Sequence, residues 1–286
     1  AEPISHTRNI SGNSDEVVVM PGAKPVILFT RLALINSGYE VIYPNPGFPV
    51  YESVINLVGG KPIPLPLLEE LDFKFSIDNL VNSISEKTKL LILNSPHNPT
   101  GSVLTAEYLE AIAKLAVKHN FYVLSDEIYS HLNYDSKFTS IISFPSMKER
   151  TILLDGHSKT YAMTGWRLGY SISPKAIAEK LDKLMLNSNS CACSFTQRAG
   201  IEAIKYSQEF VKKTFAEFKQ RRDVIVDGLN SISGINCRKP AGAFYAFPNV
   251  KQLPISSNKL ADYLLAEAGV AFLPGTAYGK FGDGYL

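Results

Sequence analysis

The sequence has few cysteines, no excess of either charge and no long apolar run. Three cysteines among 286 residues are an odd number, and a lone Cys191-x-Cys193 spacing does not predict a zinc site, so we interpret them as reduced thiols. Twenty-nine basic against 27 acidic residues give a net charge of +2, which predicts no nucleic-acid partner. No run of about 18 apolar residues occurs, and no charged-then-apolar leader opens the chain. We therefore expect a cytoplasmic protein without a membrane partner.

Short apolar runs recur along the first two thirds of the chain. Most are continuous rather than alternating, which is typical of strands covered on both faces. Helix-period segments separate several of them, for example Val26–Ile35, Ala106–His119 and Lys175–Leu186, and such alternation favours an α/β fold with a mostly parallel seven-stranded sheet. The predicted strands are Glu16–Met20, Glu40–Tyr43, Lys61–Leu65, Lys89–Leu93, Phe121–Leu124, Thr151–Leu154 and Leu168–Ile172.

One lysine follows the sixth predicted strand and precedes the seventh. Lys159 stands in the string Gly156-His-Ser-Lys-Thr, and Arg167 follows eight residues later. Burial between core strands disfavours the ammonium form, which lowers the pKa from about 10.4 and frees the neutral amine as a nucleophile. Arg167 could offer a planar fork to a phosphate or carboxylate. On spacing alone, a surface loop with an ordinary lysine and arginine stays open.

Other chemistry-bearing residues also follow predicted strands, where ligands bind on parallel sheets. Pro21-Gly22-Ala23-Lys24 lies between a strand and a helix, and small residues there let backbone N–H groups approach an anion. No G-x-G-x-x-G occurs, which weakens a dinucleotide interpretation. Phe48 lies between two prolines in a stiff loop, and the Pro96-His97-Asn98-Pro99-Thr100-Gly101 string indicates a rigid turn. Ordinary turns and a core phenylalanine remain open for these segments.

Asp126 and Glu127 stand side by side at the end of the fifth predicted strand. Neighbours on a strand point to opposite faces, so these carboxylates are not expected to converge on one metal ion or one sugar. We therefore predict that the two carboxylates do not share one ligand and that no metal site exists here.

Together these segments resemble class I and II aminotransferases of the aspartate aminotransferase type, which are fold-type-I pyridoxal phosphate enzymes. The strings that carry the resemblance are H-N-P-T-G at 97–101, D-E-x-Y at 126–129, and S-K followed by M-T-G-W-R-x-G at 158–169. The resemblance covers nearly the whole chain. It implies an aminotransferase that moves an amino group between an amino acid and a 2-oxo acid through a Schiff base of pyridoxal 5'-phosphate on Lys159.

The resemblance also implies a role for each matching residue. The catalytic set is Lys159, Asp126, which would pair with the pyridine nitrogen, and Tyr129, which would contact the phenolic oxygen. His97 and Glu127 are expected to be structural. The cofactor-binding set is Gly22, Ala23, Lys24, Phe48, Asn98, Asp126, Tyr129, Ser158, Lys159 and Arg167. Gly156 departs from the family, where many members have Ser, so one phosphate hydrogen bond is expected to be missing or replaced.

The remaining third of the chain is predicted to form a smaller, partial α+β domain. We place the large cofactor-binding domain at 1–206 and the small C-terminal domain at 207–286. The small domain would contain a helix at Gln208–Ser231, a strand within Pro240–Pro248 and a helix at Asn258–Ala268. The family further implies an N-terminal arm before Ala1 and a carboxylate-binding Arg beyond Leu286. A fragment, or a sequence restricted to ordered residues, would explain their absence, and a true fragment is expected to bind the cofactor but hardly transaminate.

Two other functions stay open on the sequence. One is a carbon–sulfur β-lyase on the same scaffold, and the other is a non-catalytic aminotransferase-like ligand-binding domain of a regulator. Because family active sites lie between subunits, the resemblance also implies a homodimer.

Overall fold

The computed structural model describes Arg8 and residues 10–286, and its central element is a seven-stranded sheet. The strands are β1 (Val17–Met20), β2 (Glu40–Asn45), β3 (Lys61–Pro66), β4 (Thr88–Asn94), β5 (Tyr122–Asp126), β6 (Thr151–Gly156) and β7 (Gly169–Ile172). Each of the seven apolar runs predicted as a strand forms one, with ends that differ by a few residues.

The strand order is β1-β7-β6-β5-β4-β2-β3. Strand β7 is antiparallel to both of its neighbours, whereas the remaining pairs are parallel. The predicted mostly parallel α/β sheet is therefore confirmed. Since the parallel strands all end at one edge, the loops that follow them gather there.

Helices cover both faces of this sheet. The helices among the described residues are α1 (Lys24–Leu34), α2 (Val50–Leu57), α3 (Ile77–Ser83), α4 (Ala106–His119), the single turn α5 (His157–Thr160), α6 (Lys175–Ser188), α7 (Ser194–Lys205), α8 (Glu209–Asn230) and α9 (Ser257–Ala268). On β4, Leu90 and Ile92 belong to the core on one face, and Leu91 and Leu93 to the core on the other. This period of two explains why the strand reads as a continuous apolar run.

The predicted strand within Pro240–Pro248 does not form. This segment makes only an isolated bridge between Gly242 and Asn133, because its backbone bonds go to loops rather than to a neighbouring strand. Gly242 N–H donates to the Gly101 carbonyl at 2.9 Å, and Ala243 N–H to that of Leu132 at 2.8 Å. Ala243 also has a positive φ of 58°, which breaks the extended conformation.

In the part of the chain that the structure describes, no helix combines the length and apolar character needed to cross a bilayer. Nor do three or more metal-ligating side chains of His, Cys, Asp or Glu cluster among these residues.

Candidate active site

A cavity of about 420 Å³ lies at the sheet edge where the parallel strands end. Every residue predicted for the site lines it except Gly22, which lies behind one wall against Arg167. Predicted residues that are as many as 144 positions apart, Ala23 and Arg167, thus meet in one place. The predicted residues on its walls are Ala23, Lys24, Phe48, Asn98, Asp126, Tyr129, Ser158, Lys159 and Arg167.

The antiparallel pairing of β1 with β7 builds the cationic end of the cavity. Met20 pairs with Gly169, so the turn after β1 meets the residues just before β7. Gly22 adopts a φ of +91°, and a Cβ on it would lie 2.3 Å from a terminal nitrogen of Arg167. A Cβ on Gly169 would lie 2.6 Å from the backbone nitrogen of Ala23. Glycine at position 22 therefore lets the Arg167 guanidinium lie close to the turn before α1, and glycine at position 169 lets β7 approach the backbone of that turn.

Helix α1 points its N-terminus at this end of the cavity, where free N–H groups and the helix dipole favour an anion. The exposed Lys24 side chain lines the cavity too, with its Nζ 5.4 Å from the centre of the Phe48 ring. The sequence predicts backbone contacts from Lys24, and in the structure its side-chain charge lies at this end of the cavity as well. Arg167 donates to the Thr164 carbonyl at 2.6 Å, which holds its fork near the same spot.

Lys159 lies on the single-turn helix α5, directly after β6. Its Nζ is 5.9 Å from the ring centre of Tyr129 and 5.4 Å from that of Phe244. Burial lowers the pKa of Lys159, and the positive charges of Arg167 and Lys24 lower it further. The effect is to increase the neutral amine at pH 7, as the sequence predicts.

Ser158 and Gly156, which precede Lys159 in the chain, differ in their access to the cavity. Ser158 is buried and lines it. At Gly156 a Cβ would lie 2.9 Å from the Leu168 carbonyl oxygen and 3.0 Å from the Gly169 Cα. The backbone leading into β7 thus occupies the space that a serine side chain would need.

Asp126 ends β5 with its carboxylate on the cavity wall. Tyr51 Oη donates to Asp126 Oδ2 at 2.7 Å, and the Ile128 N–H donates to Oδ1 at 3.3 Å. Burial raises the pKa of Asp126 to about 6, although both hydrogen bonds act in the opposite direction. A cation in the cavity would stabilise the carboxylate that burial destabilises.

Glu127 points away from the cavity, to the opposite face from Asp126. Its Oε2 accepts from Arg8 Nε at 3.0 Å, and its Oε1 accepts from the hydroxyls of Ser125 and Ser140. Arg8 also donates to Asp155 Oδ2 at 2.6 Å. Burial lowers the pKa of Arg8, but the nearby carboxylates of Asp155 and Glu127 outweigh it and raise the pKa. The predicted division of the two carboxylates is present in the geometry.

Asn98 carries a buried amide oxygen, Oδ1, that has no hydrogen-bond partner among the described residues. Its backbone N–H donates to Asn94 Oδ1 at 2.9 Å, and Asn94 Nδ2 donates to the Asp126 carbonyl at 3.1 Å. These bonds fix the backbone of Asn98, and the residue lines the cavity. His97 lies outside the cavity lining. Its Nδ1 lies 2.9 Å from Thr100 Oγ1, and burial lowers its pKa to about 3.

The hydroxyl of Tyr129 forms a hydrogen bond with the hydroxyl of Tyr245. Their ring centres are 5.6 Å apart with planes at 82°. Burial raises the pKa of both phenols, so both are protonated near neutral pH.

Sequence reasoning missed several residues of the cavity wall, of which Tyr51, Asn94 and Tyr245 make the polar contacts just described. Asn94 is the last residue of β4, one residue beyond the predicted end of that strand. A polar residue at that position is a weak signal of a site. Tyr51 and Tyr245 reach their partners across 75 and 116 positions, and no local pattern reports contacts of that range.

Comparison with known proteins gives consistent matches. A family model described as aminotransferase class I and II matches residues 4–285. A putative aminotransferase of Bacillus subtilis (strain 168), YugH, is 40% identical over 284 residues, covering 99% of this chain and 73% of that protein. An aspartate aminotransferase of Pyrococcus abyssi (strain GE5 / Orsay) is 41% identical over 290 aligned positions, covering 100% of this chain and 74% of that protein.

The crystal structure of an aromatic aminotransferase from Pyrococcus horikoshii OT3 shares the fold with a TM-score of 0.97 and 40% sequence identity. The match covers 100% of this chain and 77% of that one. This chain thus spans about three quarters of the length of the relatives that it matches.

Proposed function

The chain belongs to the aminotransferase class I and II family, and on that premise we propose that it moves an amino group between an amino acid and a 2-oxo acid with pyridoxal phosphate held at Lys159. The relatives named above are aminotransferases, so neither the β-lyase nor the non-catalytic domain is favoured. The family uses pyridoxal phosphate. The observation that carries the proposal is the cavity that joins a cationic helix N-terminus to a lysine of lowered pKa and a buried carboxylate.

The two ends of the cavity fit the two ends of pyridoxal phosphate. At one end, Arg167, Lys24 and the first turn of α1 provide cations and N–H donors for a phosphate, and Ser158 adds a hydroxyl. The absence of a Cβ at Gly22 is what lets Arg167 come close. At the other end, the Nδ2 of Asn98 and the hydroxyl of Tyr129 can donate to the phenolic oxygen, and both residues line the cavity.

Asp126 and Phe48 suit the ring of the cofactor. Burial destabilises the ionised carboxylate of Asp126, so a nearby cation stabilises it strongly. The protonated pyridine nitrogen is such a cation. Phe48 offers its face for stacking. When bound, pyridoxal phosphate supplies an electron sink for the charge left at the substrate α-carbon once its proton is removed.

Lys159 is the proton carrier in this proposal. Its Nζ takes the proton from the substrate α-carbon, which requires the neutral amine, and the lowered pKa provides it. Tyr129 and Asn98 orient the ring by hydrogen bonds, and Asp126 keeps a positive charge at the ring nitrogen. The ring centres of Tyr129 and Phe244 lie 5.9 and 5.4 Å from Nζ, and apolar neighbours of this kind contribute to its desolvation.

The first test maps the covalent attachment point. Borohydride reduction of the holoprotein followed by peptide mass mapping should place a pyridoxyl group on Lys159, because this amine has the lowered pKa and lines the cavity. The Lys159→Arg variant is the matched control and should show no adduct. An adduct on Lys24, the other lysine on the cavity wall, would contradict the assignment.

We also propose a homodimer. Several large apolar side chains on or directly after the helices that follow β7 are exposed, among them Leu186 at 63%, Phe195 at 70% and Tyr206 at 70%, and such surfaces commonly mark subunit interfaces. Light scattering at micromolar concentration should give about twice the mass of one chain. A stable, fully active monomer would contradict this proposal.

A cytoplasmic location is likewise proposed, and the three free thiols Cys191, Cys193 and Cys237 support it.

A further inference from the structure

The hydrogen bond between the hydroxyls of Tyr129 and Tyr245 uses only one of their two O–H protons. Each phenol has a single O–H, so one hydroxyl donates to the other, and the second proton remains available. If Tyr129 donates, the available proton is on Tyr245. If Tyr245 donates, the available proton is on Tyr129, which is buried in the cavity wall with Lys159 Nζ 5.9 Å from its ring centre.

We propose that Tyr245 is a positioning residue, whose hydroxyl donates to Tyr129 and thereby turns the Tyr129 O–H toward the cavity. This rests on the proposed function, in which an anionic phenolic oxygen occupies the cavity and accepts from Tyr129. An anionic acceptor forms a stronger hydrogen bond than a neutral phenol does, so it selects the arrangement in which Tyr129 donates to it and Tyr245 donates to Tyr129. Donation to Tyr129 also polarises its O–H and strengthens it as a donor.

The segment that carries Tyr245 is fixed tightly enough for this task. Its backbone bonds from Gly242 and Ala243 tie it to the loops after β4 and β5. A Cβ on Gly101 would lie 2.2 Å from Cβ of Pro240, and the Tyr134 hydroxyl donates to the Ala243 carbonyl. The segment 240–248, although it forms no strand, is therefore anchored so that it holds the Tyr245 phenol against that of Tyr129.

The test is the pKa of the visible absorbance change of the bound cofactor. A donor to the phenolic oxygen favours its anionic form and lowers this pKa. Tyr129→Phe should therefore raise it by about 1 to 2 units, as expected for a hydrogen bond to a charged group. Tyr245→Phe should raise it by about 0.1 to 0.6 units, since polarisation adds roughly 10–30% to a hydrogen bond.

The sign of the Tyr245→Phe shift separates the two arrangements. If Tyr129 normally donates to Tyr245, removing that acceptor frees the Tyr129 proton for the cofactor, and the absorbance pKa falls. A fall, or no change, overturns the inference. In a Tyr129→Phe background, Tyr245→Phe should have no further effect, because the hydroxyl through which it acts is gone, and an undiminished effect there overturns the inference as well.

Tyr134→Phe is the matched control, because it removes a phenol that bonds the same segment but is not on the wall of the large cavity. It should leave the absorbance pKa unchanged, and an equal shift would assign the effect to movement of the segment. Melting curves of the cofactor-free proteins check that the Tyr129→Phe, Tyr245→Phe and Tyr134→Phe variants all fold. If Tyr129→Phe itself leaves the absorbance pKa unmoved, the role of Tyr129 in the proposed function fails and the inference fails with it. A normal Tyr129→Phe shift without a Tyr245→Phe shift overturns the inference alone.

Discussion

Replacing Lys159 with Arg should reduce amino-group transfer by at least about 10⁴-fold, the upper range for loss of a positioned acid–base group. Arg keeps the positive charge and much of the length of the side chain, but its pKa is too high for it to release a proton. Lys159 acts in our proposal through a neutral amine, which burial and the nearby cations favour. Single-turnover absorbance measurements with amino acids and 2-oxo acids would measure the loss.

A second lysine variant separates proton transfer from misfolding. Lys159→Ala leaves a space on the cavity wall, and a small primary amine added to the solution can supply the missing proton acceptor. We expect partial recovery of turnover that increases with amine concentration for Lys159→Ala, and none for Lys159→Arg, whose side chain still fills the site. Turnover in Lys159→Arg within tenfold of the unaltered enzyme would show that another group moves the proton.

The fold could be predicted because its signal is local. A strand such as β4 places Leu90 and Ile92 in one core and Leu91 and Leu93 in the other, so burial on both faces appears directly as a continuous apolar run. The opposite orientations of Asp126 and Glu127 follow from the same geometry of a strand.

The contacts that complete the site could not be predicted in the same way. Tyr51 and Tyr245 are aromatic residues in segments whose patterns fit a core helix and a strand, and their partners are fixed only by the packed sheet. The alternation at 240–248 suggested a strand, but alternation reports which side chains are buried and not whether a neighbouring strand is available to pair. Here the neighbours are the loops that contain Gly101 and Leu132.

Asp126→Ala should mainly slow the chemical step and Glu127→Ala should mainly lower the melting temperature, although the residues are adjacent. Asp126→Ala should slow the chemical step at least ~100-fold, comparable to losing a preorganised electrostatic contact. It should lower the melting temperature of the cofactor-free protein less near pH 8 than at acid pH. Burial raises the pKa of Asp126 to about 6 from 3.8, so its stabilising effect is complete below pH 3.8 and is lost as the pH rises through about 6. At pH 8 this proton-linked contribution is gone, and alanine removes only the hydrogen bonds from Tyr51 and the Ile128 N–H.

Glu127→Ala should instead lower the melting temperature and leave turnover nearly unchanged below it. The buried Arg8 would keep Asp155 but lose Glu127, and breaking a buried ion pair costs about 3 to 5 kcal/mol. Glu127→Gln preserves the shape and is the variant to measure if the alanine variant does not fold. Melting curves of the cofactor-free proteins and single-turnover rates of the holoproteins give both readouts. Asp126 faces the cavity and Glu127 points away from it. Equal rate losses at the two positions would therefore show that the role assigned to Asp126 is wrong.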